Sequence, residues 1–158
     1  MTSNDGGPVA LVRSALVTAG VGDTIRHFPA GVPTAAAAAE ALGCDVSAIT
    51  NSLVFELAGE PLLILASGAA RVDTALVAGQ LGSGKIRRAS PDFVLEHTGQ
   101  EVGGVAPVGH PQRIRTLLDH SLQTKDLLWA GAGDHTTMFS ITYQQLRRIT
   151  GAEEMPVR

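Results

Sequence analysis

Two apolar runs, "ITNSLVFEL" and "LLILA", flank the break "AGEP". Each is too short for a helix of ordinary length and is built from aliphatic and β-favouring side chains, and the break carries Gly and Pro. The pattern predicts a β-hairpin with strands over residues 49–57 and 62–66. Further strands are expected at 25–28, 85–89, 114–118 (ending at Asp119), 125–130 and 136–141. Helical spacing predicts helices over 8–19, 35–42, 73–81, 91–97 and 143–149. Thr34, Asp73, Ser90 and Thr142 stand where N-caps belong. Gly20, Gly43, Gly99 and Gly151 stand at the helix ends, and Pro91 at a first helical position. Strands outnumber those of a simple βαβαβ alternation. This favours a compact mixed α/β domain over a doubly wound parallel sheet.

The 158 residues suit one domain. It is expected over 8–151, with 1–7 and 152–158 as loose tails and no internal repeat. With 44% hydrophobic but 4% aromatic residues, Ala, Val, Leu and Ile must fill the core. The formal charge of −3 argues against a DNA-binding protein. Its basic pairs, Arg87 with Arg88, Arg113 with Arg115, and Arg147 with Arg148, read as solvated surface. Cys44 is the one cysteine, so neither an internal disulfide nor a cysteine-based zinc site is expected. No basic start precedes an apolar stretch, and no apolar run is long enough to span a bilayer. A cytoplasmic protein that does not engage a membrane is the expectation.

Three chemical readings fail. "GQLGSGK" has the spacing of a phosphate loop, but the expected helix precedes it, the strand follows it, and Ile86 stands where a magnesium-binding Ser or Thr belongs. The five histidines show no zinc-binding spacing, and no G-x-S-x-G elbow exists. The segment "GGVAPVGHP" is different. Gly103 and Gly104 permit close approach to the main chain, and Pro107 stiffens the loop. Such a loop can aim N–H groups at one point as an oxyanion hole. The plainer reading is a connection between strands. His110, between Gly109 and Pro111, reads as a hydrogen-bonded anchor rather than a base.

Six stretches then occur in a telling order: "AAEALG", "ITNSLVF", "PLLILASGAARVD", "ASPDFVLEHTG", "GGVAPVGH" and "LLDHSL". Together they resemble the YbaK-type editing-domain family, related to the insertion domain of bacterial prolyl-tRNA synthetases. The resemblance runs over about residues 10–150. It implies a mixed α/β fold around a curved, barrel-like, largely antiparallel or mixed sheet flanked by helices. It also implies hydrolysis of the ester joining a wrongly attached small amino acid to the tRNA 3′ end, with no cofactor. Such repair is needed where binding differences are too small to discriminate at the charging step.

The resemblance assigns roles residue by residue. The G-x-x-x-P loop matches Gly103, Gly104, Val105, Ala106 and Pro107, which would hold the aminoacyl carbonyl and shape the side-chain pocket. Ser67, Gly68 and Asp119 would line the cleft, and His135 matches a late-loop histidine that would meet the terminal adenosine. Arg71, Arg87 and Arg88 would contact RNA. Asn51 stands where many members carry a functional lysine. A neutral amide cannot supply positive charge, yet it can hydrogen-bond the substrate. Three outcomes stay open: an inactive protein, a replacement cation such as Arg71, or editing by backbone and substrate-assisted means, with Asn51, Gly103 and Gly104 as the catalytic residues. The expected partners are aminoacyl-tRNA and a synthetase. A non-catalytic module of the same fold, binding a tRNA end, an amino acid or a synthetase, is the alternative. An esterase for small aminoacyl esters, independent of tRNA, is a third reading.

Overall fold

The computed structural model describes residues 7–69, 71–82 and 84–158. In chain order the elements are α1 (Pro8–Thr18), β1 (Ile25–His27), α2 (Ala35–Leu42), β2 (Ile49–Leu57), β3 (Glu60–Ser67), α3 (Thr74–Leu81), β4 (Ile86–Arg88), α4 (Pro91–Thr98), β5 (Arg115–Asp119), β6 (Leu128–Gly131), β7 (Thr137–Ile141), α5 (Tyr143–Thr150) and β8 (Glu153–Met155). Each expected cap forms. Thr34, Asp73, Ser90 and Thr142 accept the backbone N–H three residues on, which satisfies a donor that the first helical turn leaves free. The "GQLGSGK" glycines end a helix: Gly82 is the left-handed cap of α3, and β4 follows.

The hairpin is the centre of the sheet. β2 and β3 pair antiparallel from Thr50↔Ser67 to Leu57↔Glu60. The turn is tighter than expected. Ala58 and Gly59 alone reverse the chain, with φ of +54° and +82°. Two successive positive φ values give the turn whose twist matches that of the flanking strands. Pro61, which has no N–H, stands opposite Glu56, a pair that exchanges no hydrogen bonds with β2.

The strand order is β1-β7-β6-β2-β3-β5-β8, with β4 as a further partner of β2. The β2–β6, β3–β5 and β5–β8 pairs are parallel, so the sheet is mixed. It is also open: three-residue strands β1 and β8 end it and do not pair with each other, so the barrel-like expectation stops short of closure. One face carries Leu63, Leu65, Leu118, Leu128 and Phe139 against Val12, Leu16 and Leu146 of the helices. The other carries Leu62, Ile64 and Leu117 against Val77 of α3. No helix among the described residues is long and apolar enough to cross a membrane.

Two expectations are corrected. Residues 125–127 are not strand: a 3-10 turn, His120–Thr124, intervenes, and β6 begins at Leu128. The C-terminal residues are no loose tail. Glu153–Met155 pairs with β5, and Val157 is fully buried. The physical reason is the outer edge of β5, whose N–H and C=O groups need partners that lie 36 residues along the chain (Leu117↔Glu153). At the other end, residues 1–6 of the expected N-terminal tail lie outside the described residues, and Gly7 is the N-cap residue of α1.

Candidate active site

β2 loses its outer neighbour in mid-strand. On the edge away from β3, β6 pairs with it at Ile49 and Thr50, and β4 at Phe55, Glu56 and Leu57. Nothing in the described residues pairs with that edge over 51–54. The ladder fixes which groups are left. Gly68 donates its N–H to the Ile49 carbonyl at 2.7 Å. Hydrogen-bonded pairs then recur every second residue, so Asn51 and Leu53 bond β3, while the N–H and C=O of Ser52 and Val54 turn to the open edge.

A cavity of about 920 Å³ lies at this gap. Its floor is β2 from Ile49 to Phe55, and its sides include the N-cap Thr34 and Ala38 of α2, Arg71 and Val72 before α3, Arg88 of β4, and Val94 of α4. Gly103, Val105, Gly131 and Asp134 close another side. Asn51, Gly103, Val105, Arg71 and Arg88, five of the residues singled out from sequence, therefore border one cavity. The Asn51 amide makes no hydrogen bond among the described residues and is half-buried. Arg71 and Arg88 are exposed and form no ion pair among the described residues, whereas Arg115 and Arg147 are engaged with Glu153 and Glu154 at 2.9 Å.

The glycine loop is held from beneath. Gln100, 1% exposed, accepts the Ala106 N–H at 2.7 Å through its side-chain oxygen and donates to the Val108 carbonyl at 3.3 Å. Thr98 Oγ1 accepts the Gln100 N–H at 3.0 Å. His110 Nε2 is 2.8 Å from the Ala106 carbonyl, which accepts from it. Burial pushes the His110 imidazole below its ordinary range, against the opposing effect of that hydrogen bond. It is thus neutral near pH 7 and acts as a clamp on the loop. Gly104 donates to the Glu101 carbonyl at 3.0 Å. With Gly104 and Ala106 occupied, the Gly103 and Val105 N–H groups have no acceptor among the described residues, and both residues face the cavity.

The other singled-out residues lie elsewhere. Asp119, 2% exposed, accepts the Ser67 N–H and the Ser121 N–H, each at 3.0 Å, so it ties β3 to β5 instead of lining the cavity. Ser67 Oγ donates to the Ser47 carbonyl at 3.1 Å. A Cβ on Gly68 would stand 2.7 Å from the Val46 carbonyl oxygen, so that glycine is a packing contact. Gly104 is pressed on Asp134, where a Cβ would approach its Cα to 2.5 Å. Ala106 and Pro107 are buried under the loop. His135 is exposed beside Gly31, and Arg87 is exposed on β4 opposite Glu56; neither borders the cavity.

Sequence reasoning missed Gln100, Thr50, Ser52 and Asp134. Asp134 had a legible signal, since Asp followed by Thr at the second and third positions marks a side-chain-capped turn. Its Oδ1 accepts from Thr136 N, Thr136 Oγ1 and Thr137 Oγ1, each at 2.9 Å. Burial alone would raise this carboxyl, but those hydrogen bonds prevail and hold it below the ordinary carboxylate range. It therefore stands ionised on the cavity wall.

An open mixed sheet, interrupted at its central strand by a cavity with a glycine loop on its wall, defines the class as a mixed α/β domain. Residues 29–149 match the model of the aminoacyl-tRNA editing domain, and the chain belongs to that family. It is 33% identical over 127 residues to uncharacterized protein YwhH of Bacillus subtilis, spanning 80% of each. It is 32% identical over 109 residues to the proline–tRNA ligase of Limosilactobacillus fermentum, a match that takes 66% of this chain and 19% of the ligase. A crystal structure described as that of a candidate trans-editing enzyme for prolyl tRNA synthetase superposes with a TM-score of 0.90 at 35% identity, covering 96% of both chains.

Proposed function

We propose that this protein is a free-standing aminoacyl-tRNA deacylase that hydrolyses the ester of a small, wrongly attached amino acid. The observation that carries the reading is the presence, around one cavity, of main-chain N–H groups at Gly103 and Val105 without an acceptor among the described residues and of the uncommitted Asn51 amide. A volume of about 920 Å³ has room for an aminoacyl group with its terminal ribose and base. In the reaction, a water oxygen bonds the ester carbonyl carbon and the carbonyl oxygen becomes an anion. The Gly103 and Val105 N–H groups receive that anion. Collapse breaks the bond to the ribose oxygen, which takes the proton released by the water, and the free amino acid departs. One such donor is worth about 3 kcal/mol in comparable sites. Asn51 positions the water or the acyl group. Arg71 and Arg88 attract the phosphates of the acceptor end.

The test is a deacylation panel of small aminoacyl groups on several tRNAs. At least one should be hydrolysed, and Asn51→Ala should slow it by about 10- to 100-fold, the effect of losing one hydrogen bond to the reacting group. Full activity in Asn51→Ala would remove Asn51 from the mechanism. A second reading, a binding module without catalysis, is favoured by the neutral amide at position 51. It is distinguished by Asn51→Lys: if that variant hydrolyses a substrate that the parent only binds, the binding reading holds. A substrate whose hydrolysis does not depend on the RNA body would point to a small-ester esterase.

A further inference from the structure

Among the described residues, three charged side chains border the cavity, and they are separated by sign. Arg88 belongs to β4, which pairs with one end of the open stretch of β2, and Arg71 precedes α3, whose Val77 packs with Ile86 of β4. Asp134 stands in the turn that follows β6, the strand paired with the other end of that stretch at Ile49 and Thr50. It is the one carboxylate among the described lining residues. A ligand with a cationic group at one end and a phosphate at the other complements this arrangement.

Turn formation accounts for only half of the Asp134 carboxylate. Oδ1 accepts from Thr136 N, Thr136 Oγ1 and Thr137 Oγ1, and an Asn or a Ser could form such a turn without a charge. Oδ2 has no hydrogen-bond partner, and Asp134 joins no ion pair, among the described residues. A second, smaller cavity that Asp134 also borders holds Arg13 and His27, but Arg13 is taken by Asp23 at 3.0 Å and His27 pairs with no carboxylate among the described residues. The charge is therefore not used by the fold. The carboxylate is also fixed relative to the glycine loop. Gly104 packs on the Asp134 backbone so closely that a Cβ would stand 2.5 Å from the Asp134 Cα. Gly103 and Val105, whose N–H groups face the cavity without acceptors, flank Gly104. In an α-amino ester the amine sits on the carbon next to the ester carbonyl. A carboxylate one packing contact from the carbonyl donors suits that amine, which is mostly protonated near pH 7.

We infer that the Asp134 carboxylate binds the α-ammonium of the aminoacyl group, so that the site takes acyl ends with a free amine and refuses N-acylated ones. An acylated amine carries no charge and leaves the carboxylate unpaired on the wall. The inference rests on the deacylase reading for the placement of the acyl group, but its test does not need turnover. The probes are adenosines carrying alanine, lactate or N-acetylalanine through a stable 3′-amide. The first two differ by an ammonium in place of a hydroxyl. Calorimetry on the whole chain at about pH 7 should give about 10- to 100-fold tighter binding of the alanyl compound than of either other. Asp134→Asn leaves an oxygen for Thr136 and Thr137. Its thermal midpoint should stay near the parent's, while the advantage over the lactyl compound vanishes. Asp134→Ser serves the same comparison if the amide variant does not fold. Equal binding of the alanyl and lactyl compounds by the parent overturns the role of Asp134 and leaves the deacylase reading standing. An alanyl preference that survives in the variants does the same. N-acetylalanine bound as tightly as alanine overturns the refusal of blocked ends. Failure to bind any of the three overturns both readings.

Discussion

His110 shows how much a residue's role depends on what its ring touches. In the sequence it is the most chemically suggestive side chain of the glycine loop. In the fold its Nε2 donates to the Ala106 carbonyl, and burial pushes its pKa down from the ordinary 6.5. The unfolded chain therefore takes up the proton at higher pH than the folded one. The stabilisation is complete above pH 6.5 and is lost as pH falls through the lower folded-state value. His110→Gln keeps a donor for Ala106 and removes the titration. Urea midpoints measured from pH 7.5 down to about pH 5 should fall more steeply in the parent than in this variant. Parallel curves would show that His110 does not carry the dependence. Gln100 teaches the converse. It looks like any polar residue after a helix, yet it is buried with both ends of its amide bonded to the loop. Nothing local marks it, because its partners are main-chain atoms six and eight residues on.

At the scale of elements, capping and hairpin chemistry was legible because it is local: a side chain and an N–H three residues away decide it. The cavity was not, because it exists where β2 passes from β6 to β4, and neither neighbour can be inferred from the strand itself. The same distinction separates the two loop glycines. Gly103 has φ +95° but open space around its Cα, so Ala there meets conformational strain alone, about 1–3 kcal/mol. Gly104 has Asp134 Cα at 2.5 Å and Asp134 C at 2.6 Å from where a Cβ would stand. Backbone on both sides cannot rotate away, so Gly104→Ala must push the loop off the "GAGDH" turn. Gly104→Ala should lower stability by about 2–4 kcal/mol and displace Val105 and Asp134 together. Denaturation curves for both variants check this. Equal stabilities for Gly104→Ala and the parent would mean that the two loops do not bear on each other.

For the molecule as a whole, the C-terminal residues close the architecture and reach back to the cavity. The Val157 carbonyl accepts the Asp73 N–H at 2.7 Å, and the Pro156 carbonyl accepts from Gln80 Nε2 at 2.8 Å. Asp73 is the N-cap of α3, and its neighbours Arg71, Val72 and Thr74 line the cavity. On the other side, Tyr143 donates to Glu154 at 2.6 Å, and Arg147 and Arg115 pair with Glu154 and Glu153. Burial, reinforced by the bond to the Glu154 carboxylate, pushes the Tyr143 phenol far up, so it stays a donor through the physiological range. Burying Val157 contributes about 1.5–3 kcal/mol, and a hydrogen bond to a charged acceptor about the same. The exposed ion pairs add little. A chain ending at residue 152 should therefore lose about 3–5 kcal/mol, a large part of the ~5–15 kcal/mol typical of a domain. Val157→Ala should lose about 2 kcal/mol while keeping β8 paired. Urea unfolding measures both. If the apron of residues around α3 is braced as the contacts indicate, the shortened chain also binds acylated adenosine less tightly under conditions where it remains folded. Unchanged affinity there, with stability lost, would make the C-terminal strand a brace for the sheet alone and uncouple it from the cavity wall.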